Sequence, residues 1–299
     1  MERLLASFLT SQNASHYDVT QIQKSAGNIV YLLDVNNTQY VYKISKSKPV
    51  KALNEAQVLK FLENNLPNES FYPKLVLAEP PELIVTYMPG EKKYPFELTN
   101  KDLRLLCNIF DKLKLCCETQ YFSKKHMCDV QTGSSYDLAS NMLYDYALPK
   151  LITLENNRLD FASLLKSKIL RGLELNKGLL EENHDFHFFH FDLINNLITA
   201  EDNVQLIDWE TSGYGDIAYN LADLTTIGKL TNEKENILMD NFSGFKDSKF
   251  TKRYEYYKQL ALFINFLWLY DKLYAEKIQP ETIWTIDDLE SKLLEEIDF

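Results

Sequence analysis

A chain of 299 residues, 45% hydrophobic and 25% charged, is long enough for one large or two ordinary compact units and can bury a substantial core. The formal net charge of -11 argues against nucleic acid as a partner, because such partners demand a basic surface. Residues 1–90 balance acid against base, so the remainder carries the whole negative charge, and a cationic ligand would be drawn there.

The opening MERLLASFLTSQ is too short and too weakly apolar for a signal peptide. Residues 27–45 predict two β-strands joined at Asn36-Asn37, a pair that tolerates left-handed turn geometry. Residues 51–65 predict a helix with Glu55 to one side of its apolar positions. A second hairpin is expected over 74–88, interrupted at Pro80-Pro81, since proline cannot donate to a strand ladder. The strands give way to helices near Met88-Pro89-Gly90, which divides the chain into a lobe at 1–89 and a lobe at 90–299. Helices are predicted at 100–120, 137–153, 160–182 and 253–277, with short strands only at 190–209. Ligands favour the clefts such lobes create.

Cys107, Cys116, Cys117 and Cys128 form no C-x-x-C pair, and their helical spacing suits buried thiols of a reducing compartment better than zinc or disulfides. The most apolar stretch, 260–270, holds Asn265 and is far short of the about 20 residues a membrane span needs. A cytoplasmic protein with no membrane partner is expected.

Several residues have the types and order that phosphoryl transfer requires. Lys43 ends the second strand and Glu55 follows on the next helix, an arrangement able to hold nucleotide phosphates. Solvation is the plain alternative, since Lys43 is one of four lysines in KISKSKPVK; Lys46, Lys48 and Lys51 read as surface charge. Gly27, in the loop KSAGN, would let backbone amides approach phosphates. The G-x-x-x-x-G-K-[ST] pattern of a P-loop is absent.

His190-Phe191-Asp192 sits on a loop with Asn195 and Asn196 just after, a general base with a metal-binding amide or else an ordinary polar turn. Asp208 ends the apolar run LIDWE, where an aspartate is costly unless paired or bound to a cation; with an Asn amide its oxygens suit Mg²⁺. His184, His187 and His190 recur every third residue, but strand alternation puts His187 on the opposite face, so zinc is set aside.

Taken together, Lys43 in YVYKIS, Glu55 in NEAQVLKFL, LIVTYMPGE, HFDLINNLI and IDWETSGYGDIAYNLADL resemble the aminoglycoside phosphotransferase and choline kinase family, across roughly residues 20–225. The resemblance implies an α+β, two-lobed protein-kinase-like fold, with a small β-rich N-terminal lobe and a larger helical C-terminal lobe. It implies ATP and Mg²⁺ as cofactors and a small-molecule acceptor with a hydroxyl group. Asp192 would be the catalytic base, Asn196 and Asp208 the metal ligands, Lys43 the phosphate grip and Glu55 its orienting partner. Backbone near Tyr87 and Met88 would meet the adenine. Asp216 would brace the catalytic loop or serve as a structural carboxylate.

The chain departs from the family pattern in three ways. Phe191 stands where Gly is usual. Asn196 lies four residues after Asp192 instead of five, leaving Asn195 as an alternative ligand. Asn220 and Ile217 replace an Asp and a Pro. A nucleotide-binding module without catalysis is the alternative these departures suggest; a protein kinase is disfavoured by the absence of D-F-G and A-P-E motifs. Aromatics Tyr254, Tyr256, Tyr257, Trp268 and Tyr270 read as core at helical spacing, with a cage for an ammonium acceptor as the sharper alternative.

Overall fold

A computed structural model describes residues 3–24, 28–46, 49–116, 134–182, 187–280 and 282–296. Gly27, His184, Cys117 and Cys128 lie outside the described residues. In chain order the elements are α1 (Arg3–Ser11), β1 (Tyr17–Lys24), β2 (Asn28–Val35), β3 (Thr38–Ser45), α2 (Pro49–Asn65), β4 (Leu75–Glu79), β5 (Glu82–Thr86), β6 (Glu91–Lys93), α3 (Asn100–Leu113), α4 (Ser135–Asn141), α5 (Leu148–Leu175), α6 (Lys177–Glu181), β7 (His187–Phe189), β8 (Leu197–Ala200), β9 (Asn203–Leu206), β10 (Gly213–Gly215), α7 (Ile217–Thr226), α8 (Asn232–Asn241), α9 (Ser248–Tyr274) and α10 (Ile286–Glu296). Two compact units result. The first holds the described residues within Met1–Lys93, Leu115–Ser123 and His190–Gly213; the second holds those within Tyr94–Lys114, Lys124–Phe189 and Tyr214–Phe299.

The first unit is built on an antiparallel sheet of order β1-β2-β3-β5-β4. Asn36 and Asn37 both adopt left-handed backbone (φ 51° and 64°), the conformation a two-residue hairpin turn demands. That turn sets the register, Val35 opposite Thr38 and Val30 opposite Lys43, and so decides where Lys43 stands on the sheet. Helix α1 supplies Leu4, Leu5, Phe8 and Leu9 to a core shared with Leu33, Val35, Tyr42, Ile44 and Ile84. The i, i+1, i+4, i+5 spacing of those four apolar residues is the helical signal in the N-terminal segment. Helix α2 buries Val58, Leu59, Phe61 and Leu62.

A second, three-stranded sheet of order β6-β8-β9 belongs to the same unit. Strand β9 continues directly into Asp208, and its Leu206 amide donates to the Phe71 carbonyl at 2.7 Å. Gly90 leads into β6 at φ +144°, and a Cβ there would stand 2.5 Å from the Thr199 carbonyl oxygen and 2.7 Å from Ile198 Cγ2. Gly90→Ala therefore combines backbone strain with a collision against main chain, and is expected to cost roughly 2 kcal/mol of stability. Chemical denaturation measures it; an unchanged midpoint would contradict the close packing of this segment on β8.

The second unit is helical. Thr99 and Asp102 form a reciprocal cap on α3, with the Asp102 amide donating to Thr99 Oγ1 at 3.2 Å and the Thr99 amide to Asp102 Oδ2 at 2.8 Å. The helix expected over 100–120 stops at Leu113. The break expected between 153 and 160 is a kink: α5 runs through it, with Arg158 in non-helical backbone (φ -150°, ψ 62°). Cys107 and Cys116 are buried. Along α9 the residues Tyr254, Tyr256, Tyr257 and Tyr270 are buried. Tyr254 Oη donates to Glu235 Oε1 at 2.7 Å and Tyr257 Oη to the Ser135 carbonyl at 3.2 Å, so this stripe is core. Asp216 caps α7 from a fully buried position, accepting from the Ala218 amide (3.1 Å), Ser135 Oγ (2.6 Å) and Arg253 Nε (2.8 Å).

Candidate active site

Within the first unit, Lys43 on β3 carries its ammonium into a ring of carboxylates. Its Nζ donates to Glu55 Oε1 at 2.8 Å, to Glu55 Oε2 at 3.0 Å and to Asp208 Oδ1 at 2.9 Å. Burial by itself would lower the lysine's pKa; the adjacent Asp208 and Glu55 outweigh it and hold the group charged, above its ordinary value. The same ammonium outweighs burial at Asp208 and holds that carboxyl ionised, below the usual carboxylate range. The Glu55 carboxyl is pushed up, by burial first and by the neighbouring Asp208 and Glu210, against the pull of Lys43.

Asp208 adopts left-handed backbone (φ 64°, ψ 57°), which a side chain bearing a Cβ visits only when its surroundings hold it there. Three contacts do so. Ile207 donates its amide to the Asn196 carbonyl at 3.1 Å. Its carbonyl receives the His190 Nε2 contact at 2.8 Å. Trp209, fully buried, donates Nε1 to the Leu206 carbonyl at 2.8 Å.

His190 is the joint between the loop and the strand. The Asp192 amide donates to His190 Nδ1 at 3.3 Å, so the ring proton sits on Nε2 and is given to Ile207. Burial first lowers the ring's pKa to about 4, and the imidazole is neutral at physiological pH. Its ring packs edge-on against Trp209 with centroids 4.7 Å apart.

Asp192 has its carboxyl pushed up to about 6, by burial first, then by the charges of Asp208 and Glu210, with Lys51 opposing. Asn196 Nδ2 donates to the Asp192 carbonyl at 2.8 Å and closes the short loop on itself. Asn195 Oδ1 is buried and has no hydrogen-bond partner among the described residues.

The structure thus gathers Lys43, Glu55, Asp192, Asn196 and Asp208 into one electrostatically coupled cluster. Tyr87 and Met88 follow β5 in the same unit; Tyr87 donates its amide to the Gln39 carbonyl at 3.3 Å and Met88 is buried. Lys51 corrects the sequence reading. It is no stray surface charge, because its Nζ pairs with Glu210 Oε1. Asn54, Trp209 and Glu210 are further members to which the sequence pattern assigns no role. The available signal was the spacing Lys51, Asn54, Glu55, which puts all three on one face of α2.

The donor chemistry fits Mg²⁺. Four carboxylates (Glu55, Asp192, Asp208, Glu210) stand against two ammonium groups (Lys43, Lys51) and a neutral imidazole, which leaves room for a divalent cation. Among the described residues no three His, Cys, Asp or Glu side chains form a metal cage. An ion held by one carboxylate and an amide oxygen, completed by phosphate oxygens, is the usual habit of Mg²⁺.

The family model for the phosphotransferase enzyme family matches residues 18–238. This chain belongs to that family. Its fold is shared with choline kinase LicA from Streptococcus pneumoniae, 18% identical, with 99% of this chain and 98% of that one covered and a TM-score of 0.65. The streptomycin–ATP ternary complex of the aminoglycoside phosphotransferase APH(2")-IIa is 18% identical, covers 99% and 96%, and has a TM-score of 0.63. An ethanolamine kinase from Plasmodium vivax is 15% identical, covers 94% and 81%, and has a TM-score of 0.62. No curated protein matches the chain significantly. The kinase-like α+β fold, with a five-stranded antiparallel sheet at the N-terminal side and helices at the C-terminal side, is that of this phosphotransferase family. No helix among the described residues is long and apolar enough to cross a membrane.

Proposed function

We propose that this phosphotransferase moves the γ-phosphoryl group of ATP onto a hydroxyl of a small, cationic acceptor. The observation that carries the reading is Lys43, held charged between Glu55 and Asp208, with Asp192 coupled to the same cluster. Lys43 grips the phosphates while Glu55 fixes its direction. Asp192 accepts the proton of the acceptor hydroxyl as the oxygen attacks in line. Asp208 and the Asn196 amide would hold Mg²⁺, which when bound offsets charge on the phosphates. Backbone at Tyr87 and Met88 would meet the base, and the loop at Gly27 the phosphates.

A cationic acceptor is supported by the net charge of -11, all of it lying beyond residue 90. The names of fold neighbours agree in kind: choline, ethanolamine and an aminoglycoside are all cations. A cytoplasmic site of action suits an ATP consumer with buried cysteines at 107 and 116.

The test is ADP release with Mg·ATP against choline, ethanolamine, thiamine and a panel of aminoglycosides. Turnover of one of them, with a phosphorylated product by mass spectrometry, is the expected result. Mg·ATP binding with no acceptor turned over would favour a binding module instead, and no binding at all would overturn the reading.

The rate should also report Asp192. The base acts ionised, and its pKa in the free protein is about 6. Thus log(kcat/KM) is expected to be flat above pH 7 and to fall by about one per pH unit below 6, because that limb reports the free enzyme. A flat profile down to pH 4.5 would remove Asp192 from the role of base.

A further inference from the structure

Helix α2 touches the segment that carries Asp208 at three successive points of one face. Glu55 reaches it through Lys43, which bonds Asp208 Oδ1 at 2.9 Å. Asn54, buried, donates Nδ2 to the Glu210 carbonyl. Lys51 pairs its Nζ with Glu210 Oε1. The first of these contacts belongs to the phosphate grip. The other two meet a residue to which the reaction gives no task.

An exposed ion pair would carry little meaning, since such pairs contribute nearly nothing. Glu210 is different: its side chain is only 10% exposed, so its charge is taken out of water and answered by a lysine that is itself 38% exposed. It also lies one residue beyond Trp209, on the far side of the left-handed Asp208. A left-handed aspartate does not sustain itself, and the anchors described above lie on its N-terminal side and at Trp209. On the C-terminal side of the turn the Ser212 amide donates to the Trp209 carbonyl at 3.2 Å, and Asn54 and Lys51 tie Glu210 to α2.

We propose that Glu210, clamped by Lys51 and Asn54 of α2, is a positioning residue for Asp208. The clamp fixes the turn Trp209–Thr211 to the helix that also carries Glu55, so the Asp208 carboxylate is presented to a nucleotide-bound divalent ion in one orientation. The inference rests on the kinase reading above and adds to it a second-layer contact that sets metal affinity, as partners behind metal ligands commonly do.

The test uses Mn²⁺ as probe, titrated into the full-length protein with saturating ADP and read by electron paramagnetic resonance. ADP binding without metal and the melting of the metal-free protein are measured alongside. In Glu210→Gln and in Lys51→Met, Mn²⁺ affinity should fall on the order of tenfold to a hundredfold. Metal-free ADP binding should stay within about twofold. The double variant should be no worse than either single one, since both break one contact. Lys51→Arg keeps the charge and should restore most of the affinity. Should Glu210→Gln fail to fold, the more exposed Lys51→Met carries the test. Unchanged Mn²⁺ affinity in folded single variants overturns the clamp while leaving the kinase reading intact. Equal losses of metal-free ADP binding and of Mn²⁺ binding would mark a general structural brace, and overturn it too. Absence of metal-dependent ADP binding in the wild-type protein overturns the kinase reading, and this inference with it.

Discussion

Asp192→Asn is expected to lose about a hundredfold to ten-thousandfold in kcat while binding ATP as the parent protein does, because general-base removal costs 10²–10⁴ and the loop stays in place. The same variant should be more stable, not less. The Asp192 carboxyl has its pKa raised from 3.8 to about 6 in the folded protein. The folded state therefore favours the protonated form: the associated stability is fully present below pH 3.8 and is lost as pH rises through 6. At pH 7 the ionised group costs on the order of 1–3 kcal/mol, since one pKa unit is worth about 1.4 kcal/mol. Asparagine carries no charge to desolvate, so the variant's melting temperature should exceed wild type at pH 7.5 and converge with it at pH 4. A variant that loses activity and stability together at pH 7.5 would mean that Asp192 holds the loop together instead of serving the chemistry. The ionised carboxylate is kept unfavourable by burial first, and then by the neighbouring charges of Asp208 and Glu210.

Lys43→Met has the opposite signature. It leaves Glu55 and Asp208 facing each other in a buried site with their shared counter-ion gone. Removing one partner of a buried ion pair costs about 3–5 kcal/mol. Nucleotide affinity should fall with it, as the grip on the phosphates is lost. The sign with pH follows from Asp208, whose pKa the lysine depresses. Stability drawn from that pairing is present above the ordinary carboxylate range and fades as pH falls through the depressed value, so the variant's deficit should be full at pH 7 and shrink towards pH 3. Adding Glu55→Gln should recover part of the loss at pH 7, because one uncompensated charge is then gone. Urea denaturation at both pH values measures all of this. A Lys43→Met protein as stable as wild type at pH 7 would mean that the lysine stands in water and grips nothing.

Much of the site could be read from text because its parts are local. The Asn36-Asn37 turn is a two-residue signal, and once it is set the register that carries Lys43 follows. The apolar run into Asp208 marks a buried strand ending in a charge, and H-x-D with Asn close behind marks the loop. What escaped were contacts between segments far apart in sequence. Lys51 and Glu210 are separated by 159 positions, and in a lysine-rich stretch nothing distinguishes the one lysine that finds a buried acid. Asp216 shows the same limit from the other side, since nothing in its text foretells its bonds to Ser135 and Arg253, 81 and 37 positions away. Strand β6 is three residues of charge, EKK, with no apolar alternation; it is a strand because β8 offers it an edge.

The sequence by itself determined the passage from strands to helices near residue 90, the turn that seats Lys43, the acidic character beyond residue 90 and the chemical types that phosphoryl transfer needs. These are properties of short windows, where backbone sterics and apolar periodicity act without reference to distant residues. Only the tertiary structure decided which charges are paired, which face of α2 is the working one, that Asp208 is held in left-handed backbone and that Asp192 is pushed up in pKa. Those are properties of burial and of charges brought together from far along the chain, and desolvation and Coulomb attraction have no value until the chain has folded.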